Sequence, residues 1–192
     1  MLTNAPRGTK DILPDTVGHW TYVEEKIRKI CKHYGFHELR TPIFEHTELF
    51  QRGIGEGTDV VDKEMYTFTD RGSRSITLRP ENTASAVRAY LQNKLYGDNS
   101  LVKLFYMGSM FRYDRPQAGR MREFHQFGVE SIGAESPLSD AEIIMLAVDF
   151  LQLLGMKDLS LLLNSVGCPR CRPKYRKALK AYFREHLGEL CK

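Results

Sequence analysis

No run of apolar residues in this 192-residue chain approaches the length of a membrane span, so a helical anchor is not expected. The opening, MLTNAPRGTKDILPD, lacks the apolar centre of a signal peptide. Cysteine is scarce: Cys31, Cys168, Cys171 and Cys191 are too few, in a chain this long, for a disulfide scaffold. Reduced thiols and a cytoplasmic location are therefore expected. The glycine signatures of the common nucleotide folds are missing too. The loop GIGEGTD (53–59) has neither phosphate-loop spacing nor a following Lys-Ser/Thr, and no Rossmann fingerprint occurs. A nucleotide, if one is bound, needs a less common architecture.

A charge of one sign is also missing from most of the chain. The net charge is +4, yet residues 168–192 hold eight Lys/Arg against two Glu, +6, which leaves 20 basic and 22 acidic residues, −2, in the remainder. The body is nearly neutral and the tail is basic, a distribution that fits a polyanionic partner for the tail or a solvated helix face.

What is present is concentrated in FYMGSMFRYDRPQAGRMREFHQFGVE (105–130). Two strand-like segments here carry Arg112, Arg115, Arg120 and Arg122 among Asp114, Glu123, Gln126 and Glu130. Sheet interiors do not gather charges without a use for them, because an unpaired buried charge is costly. Alternate strand residues share a face. Phe124, Gln126, Gly128 and Glu130 therefore fall on one side, and His125, Phe127, Val129 and Ser131 on the other. Before them, Gly108, Met110, Arg112 and Asp114 share a face opposite Phe111 and Tyr113. The pair is expected to present one polar, site-like face and one apolar, core-like face. An amphipathic hairpin with surface ion pairs is the plainer reading. Gly108 and Gly128 favour the first, since a strand glycine often marks a close approach of ligand or backbone. His125 falls on the core side, so it reads as a packed histidine rather than an acid or base.

Around this centre the periodicity predicts an α+β fold, an antiparallel sheet flanked by helices. A first helix, capped by Asp15, runs to Tyr34 and stops at Gly35, with Trp20 and Cys31 as core. An extended piece (36–44) carries Pro42, which argues for an edge or an interface. A short helix (47–52), a hairpin around DRGSR, and a helix opened by Arg79-Pro80-Glu81-Asn82-Thr83 follow. Ser139-Asp-Ala-Glu142 reads as a capping box for an apolar helix (141–154), and 158–164 as a short buried strand before a basic amphipathic helix.

These segments resemble the bacterial histidyl-tRNA synthetases, a family of class II aminoacyl-tRNA synthetases, over essentially the whole chain. RGTKDILP looks like the family's opening segment, YGFHELRTPIFEHTELF like class II motif 1, LRPENTA (78–84) like its amino-acid-binding segment, and FRYDRPQAGRMREFHQFGVE like motif 2. The resemblance implies histidine–tRNA ligase activity: ATP-dependent activation of histidine, with Mg²⁺, then transfer to tRNA(His). It implies that Arg112 holds the ATP α-phosphate, that Asp114 and Arg120 contact the nucleotide, and that Phe124 stacks on adenine. Glu81, Thr83 and Gln126 would hold the α-ammonium side of histidine and Glu130 the imidazole. Pro42 and Phe44 would lie at a homodimer contact.

The family's second histidine-binding segment, motif 3 and anticodon-binding domain are not found in residues 1–192. The expected organisation is an N-terminal part of the catalytic core (1–163) and the start of a basic insertion (164–192), a fragment that does not complete the reaction alone. A non-catalytic paralogue, the regulatory subunit of ATP phosphoribosyltransferase in histidine biosynthesis, is the competing function. The complete arginine set of motif 2, Phe124 and the basic insertion favour the ligase. Cys168-Pro-Arg-Cys171 resembles a zinc knuckle, and with His186 and Cys191 the spacing is C-x2-C-x14-H-x4-C, close to zinc patterns. The alternatives are that His186 and Cys191 merely lie on a helix and a ligand lies beyond Lys192, or that there is no metal. No metal ligand is assigned on this spacing.

Overall fold

The computed structural model describes residues 3–54, 58, 61, 64–97, 101–164 and 167–190. The chain divides into two units, Met1–Lys157 and Asp158–Lys192.

In the first unit, α1 (Val17–His33) repeats apolar residues every three or four positions and buries Ile27, Ile30 and Cys31. Its N-cap is Thr16 rather than Asp15, with no side-chain cap bond, and the chain reverses at Gly35 with φ +75°. The extended piece after it is divided between two sheets. β1 (His37–Glu38) pairs in parallel with β5 (Val102–Phe111), which pairs antiparallel with β6 (Glu123–Ile132). β2 (Phe44–His46) joins the second sheet, in the order β2-β4-β3, with β3 (Thr67–Thr69) and β4 (Ser75–Leu78) as an antiparallel hairpin. The fold is thus α+β, with one parallel pair inside an otherwise antiparallel arrangement.

The helices α2 (Thr47–Ile54), α3 (Thr83–Gln92) and α4 (Pro137–Leu153) complete the unit. Helix α4 starts one turn before the predicted capping box. Ser136 caps it, accepting from the Leu138 N–H at 3.3 Å, with Pro137 at the first helical position. Proline is favoured there because that N–H has no helical partner to lose.

The main core lies between α1, α4 and one face of β5–β6. Ile27, Ile30, Cys31, Phe36, Phe105 and Leu146 are buried, with Met107, Phe127, Val129 and Phe150 packed against them. Burial pushes the Cys31 thiol up to about 12, the behaviour of a structural cysteine. Trp20, expected in this core, is 37% exposed and lies against His125, ring centroids 4.3 Å apart. Lys103 bridges α1 and α4 from the sheet, donating to the Tyr34 carbonyl at 3.2 Å and to Glu142 at 2.7 Å.

The second unit contains α5 (Cys171–Glu185) and a 3-10 turn, Leu187–Glu189. The predicted strand at 158–164 is not formed; the segment is irregular and exposed. A strand exists only as one side of a ladder, and this segment has no ladder partner among the described residues.

Candidate active site

Strand register builds the site. Gly108 lies opposite Gln126, Met110 opposite Phe124, Tyr106 opposite Gly128 and Leu104 opposite Glu130. Facing residues in an antiparallel pair share a side. Phe124, Gln126 and Glu130 therefore form one row, and the opposite side carries Phe105, Met107, Phe127 and Val129 into the core. This is the division that alternation predicts.

At the loop end of the hairpin, Glu64, Arg112, Asp114, Arg120 and Phe124 line a cleft of about 520 Å³. All four residues expected to hold a nucleotide are gathered there. Arg112 donates from Nε to the Pro80 carbonyl at 2.9 Å, and its guanidinium lies 5.2 Å from the centre of the Phe124 ring. Its Nη groups have no protein acceptor among the described residues, which leaves a fixed fork of donors facing the cleft. Asp114 accepts from the Arg115 N–H at 2.6 Å and from Arg120 at 3.2 Å. The opening segment supports this loop: the Gly8 carbonyl accepts from the N–H groups of Arg122 at 2.7 Å and Glu123 at 3.1 Å. Gly8 has φ +87°, and a Cβ there would stand 2.7 Å from the Arg122 side chain, so only glycine lets the two segments meet.

The second group surrounds the start of α3. Glu81 accepts from the N–H groups of Thr83 at 2.5 Å and Ala84 at 3.0 Å, and so caps the helix. Thr83 meets the Tyr106 hydroxyl at 3.3 Å, and that hydroxyl donates to Glu130 at 3.2 Å. Burial raises the Glu130 carboxyl above the ordinary range, hydrogen bonds from Thr83 and Tyr106 oppose the rise, and Glu81 adds to it. The same environment pushes Tyr106 up to about 12, chiefly by burial. The Gln126 Oε1 is buried with no hydrogen-bond partner. A buried acceptor left unmade is costly, and each one in a native structure calls for an explanation.

The structure revises two sequence readings. The space beside Gly108 and Gly128 is taken by protein side chains. A Cβ at Gly108 (φ +154°) would stand 2.8 Å from Arg79 Nη2, and one at Gly128 would fall on the Tyr106 phenol. His125 is on the expected face but is exposed rather than packed in the core. His186 lies at the far end of α5 from Cys168 and Cys171, with its Nδ1 held at 2.8 Å from the Tyr182 carbonyl oxygen. Cys191, also part of that spacing, lies outside the described residues. Pro42 and Phe44 are exposed, Phe44 at 55%.

Two residues that sequence reasoning passed over organise the site. Arg79 is 7% exposed and donates from Nε to the Ser109 carbonyl at 2.9 Å and from Nη1 to Thr41 and Asn82 at 3.2 Å. Burial lowers its pKa. Tyr106 connects Thr83 to Glu130. A signal for Tyr106 was available: once the hairpin register is counted, a tyrosine stands opposite a glycine.

Three comparisons bear on this arrangement. The family model described as Histidyl-tRNA synthetase matches residues 8–171. Histidine–tRNA ligases of Pelotomaculum thermopropionicum and Moorella thermoacetica are 64% and 61% identical to the chain, covering all of it but 45% of each relative. The chain thus spans under half the length of these curated relatives. Among solved structures, apo S. aureus histidyl-tRNA synthetase superposes with a TM-score of 0.77 at 44% identity, over 98% of this chain and 44% of that one. An ATP phosphoribosyltransferase regulatory subunit/histidyl-tRNA synthetase from Bacillus halodurans gives a TM-score of 0.73 at 22% identity, over 98% and 52%, a likeness of fold.

Proposed function

Since this chain belongs to the histidyl-tRNA synthetase family, we propose that it carries the N-terminal part of the catalytic core of an ATP-dependent histidine–tRNA ligase. The observation that supports this reading most is the Gln126 Oε1, buried and unpartnered, in a row with Phe124 and Glu130. An amide oxygen accepts from an α-ammonium, an aromatic ring offers a face to adenine, and a carboxylate accepts from an imidazole N–H. The amino acid would lie between Gln126 and Glu130, its ammonium also facing Glu81 and Thr83. ATP would occupy the cleft of Arg112, Asp114, Arg120 and Phe124 with Mg²⁺ on its phosphates.

In that arrangement the histidine carboxylate attacks the α-phosphorus in line, an acyl–phosphate bond forms, and the bond to pyrophosphate breaks. No protein nucleophile is required. The protein supplies position and charge, and the Arg112 donors meet negative charge on the α-phosphate oxygens. The acyl group then passes to a hydroxyl of the terminal ribose of tRNA(His), the acyl–phosphate bond breaks and AMP leaves. The basic face of α5, with Arg176, Lys177, Lys180 and Arg184 lining one groove, fits the phosphate backbone of that partner. A homodimer through Pro42 and the exposed Phe44 belongs to the same reading.

The high identity to proteins named as ligases favours this over the regulatory paralogue, whose likeness is one of fold. Glu130→Ala, made in a chain of the relatives' length, is expected to weaken histidine binding at least about tenfold, the loss of one charge-assisted hydrogen bond. ATP binding should be unchanged. Calorimetric titration with each ligand reads both. Equal loss of the two would contradict the assignment of Glu130 to the imidazole.

A further inference from the structure

Nothing in the proposed chemistry uses the two cysteines at the head of α5, yet the backbone there is shaped around them. Gly167 has φ +75°, and a Cβ on it would stand 2.7 Å from the Cys171 sulfur. The turn Gly167-Cys-Pro-Arg-Cys171 brings the two sulfurs to 3.5 Å. The Cys168 N–H donates to the Cys171 sulfur at 2.9 Å, and the Cys171 thiol donates to the Cys168 carbonyl at 3.3 Å. Both cysteines are exposed. Two sulfurs ligating one ion at about 2.3 Å with a tetrahedral angle lie about 3.8 Å apart. A disulfide needs about 2.05 Å. The observed 3.5 Å is much nearer the first distance.

We propose that Cys168 and Cys171 form a two-thiolate clamp for a soft divalent cation of the zinc class, which fixes the first turn of α5. Cysteine thiolates paired across a C-x2-C turn suit such an ion, and the Cys168 N–H aimed at the Cys171 sulfur favours the thiolate form it requires. His186 is not a ligand. The fifteen-residue helix Cys171–Glu185 separates it from the clamp, about 22 Å at 1.5 Å per residue. Its ring also stacks on Tyr182 with centroids 4.2 Å apart. No third His, Cys, Asp or Glu joins the pair among the described residues.

Cobalt(II) titration of the reduced 192-residue chain tests this, because thiolate ligation gives a sulfur-to-cobalt charge-transfer absorption that other ligands do not. The expected result is a band that saturates near one equivalent and is displaced by zinc. It should be lost in Cys168→Ser and in Cys171→Ser and unchanged in His186→Ala. No band in the reduced wild-type chain, or a band that survives both serine substitutions together, would overturn the proposal. So would a pair recovered as a disulfide whose reduced form ignores cobalt. Far-UV circular dichroism confirms that the serine variants, altered only at exposed sulfurs, keep their secondary structure.

Discussion

Arg112→Ala, in a chain of the length its relatives have, is expected to lower histidine-dependent ATP–pyrophosphate exchange by roughly a thousandfold. The reason is placement. The Nε–H···O bond to Pro80 at 2.9 Å fixes the guanidinium over Phe124, so its remaining donors are aimed before any substrate arrives. A preorganised donor meets charge that grows on the α-phosphate oxygens without reorganisation at the moment of reaction. Arg112→Lys should rescue little, because an ammonium cannot bond the Pro80 carbonyl and present a planar fork together. Stability should fall by only about 1 kcal/mol, the worth of one hydrogen bond. Exchange retained within tenfold of wild type would remove Arg112 from its proposed role.

The largest expected effect on stability is at Arg79. Its guanidinium is buried with no carboxylate partner among the described residues and donates to neutral oxygens of Ser109, Thr41 and Asn82. Those contacts tie the segment after β1, the start of α3 and β5 beside Gly108 into one unit. Arg79→Ala leaves several buried acceptors unsatisfied and opens a cavity, with an expected cost of about 3–5 kcal/mol. For a chain of this size that lowers Tm by roughly 10 °C. Arg120→Ala is the control: its side chain is 65% exposed, and its pairing with Asp114 should contribute little. Thermal denaturation followed by circular dichroism reads both variants. A loss below about 1 kcal/mol at Arg79 would show that the three segments are held by other contacts.

The difference between these two arginines shows what could be read in advance. Arg112 was legible because strand alternation alone sets its side, and the same count placed Phe124, Gln126 and Glu130 in a row. Arg79 was not, because its partners Thr41 and Ser109 lie 38 and 30 residues away, and no local period reports them. Tyr106 was half legible: its opposition to Gly128 follows from the hairpin register, but its bonds to Thr83 and Glu130 depend on where α3 packs. The start of α4 was misread because Ser136 and Ser139 both suit a cap, and Pro137 decides between them. The segment 158–164 was misread because a short apolar run describes what a strand can bury and does not supply the neighbour it needs.

Histidine-dependent ATP–pyrophosphate exchange, compared between a chain of the relatives' length and the 192-residue chain, tests the central claim most directly. The account predicts exchange in the longer chain that requires histidine, and only background in the shorter one. Histidine binding without exchange in the longer chain would contradict it and point instead to a histidine-sensing paralogue.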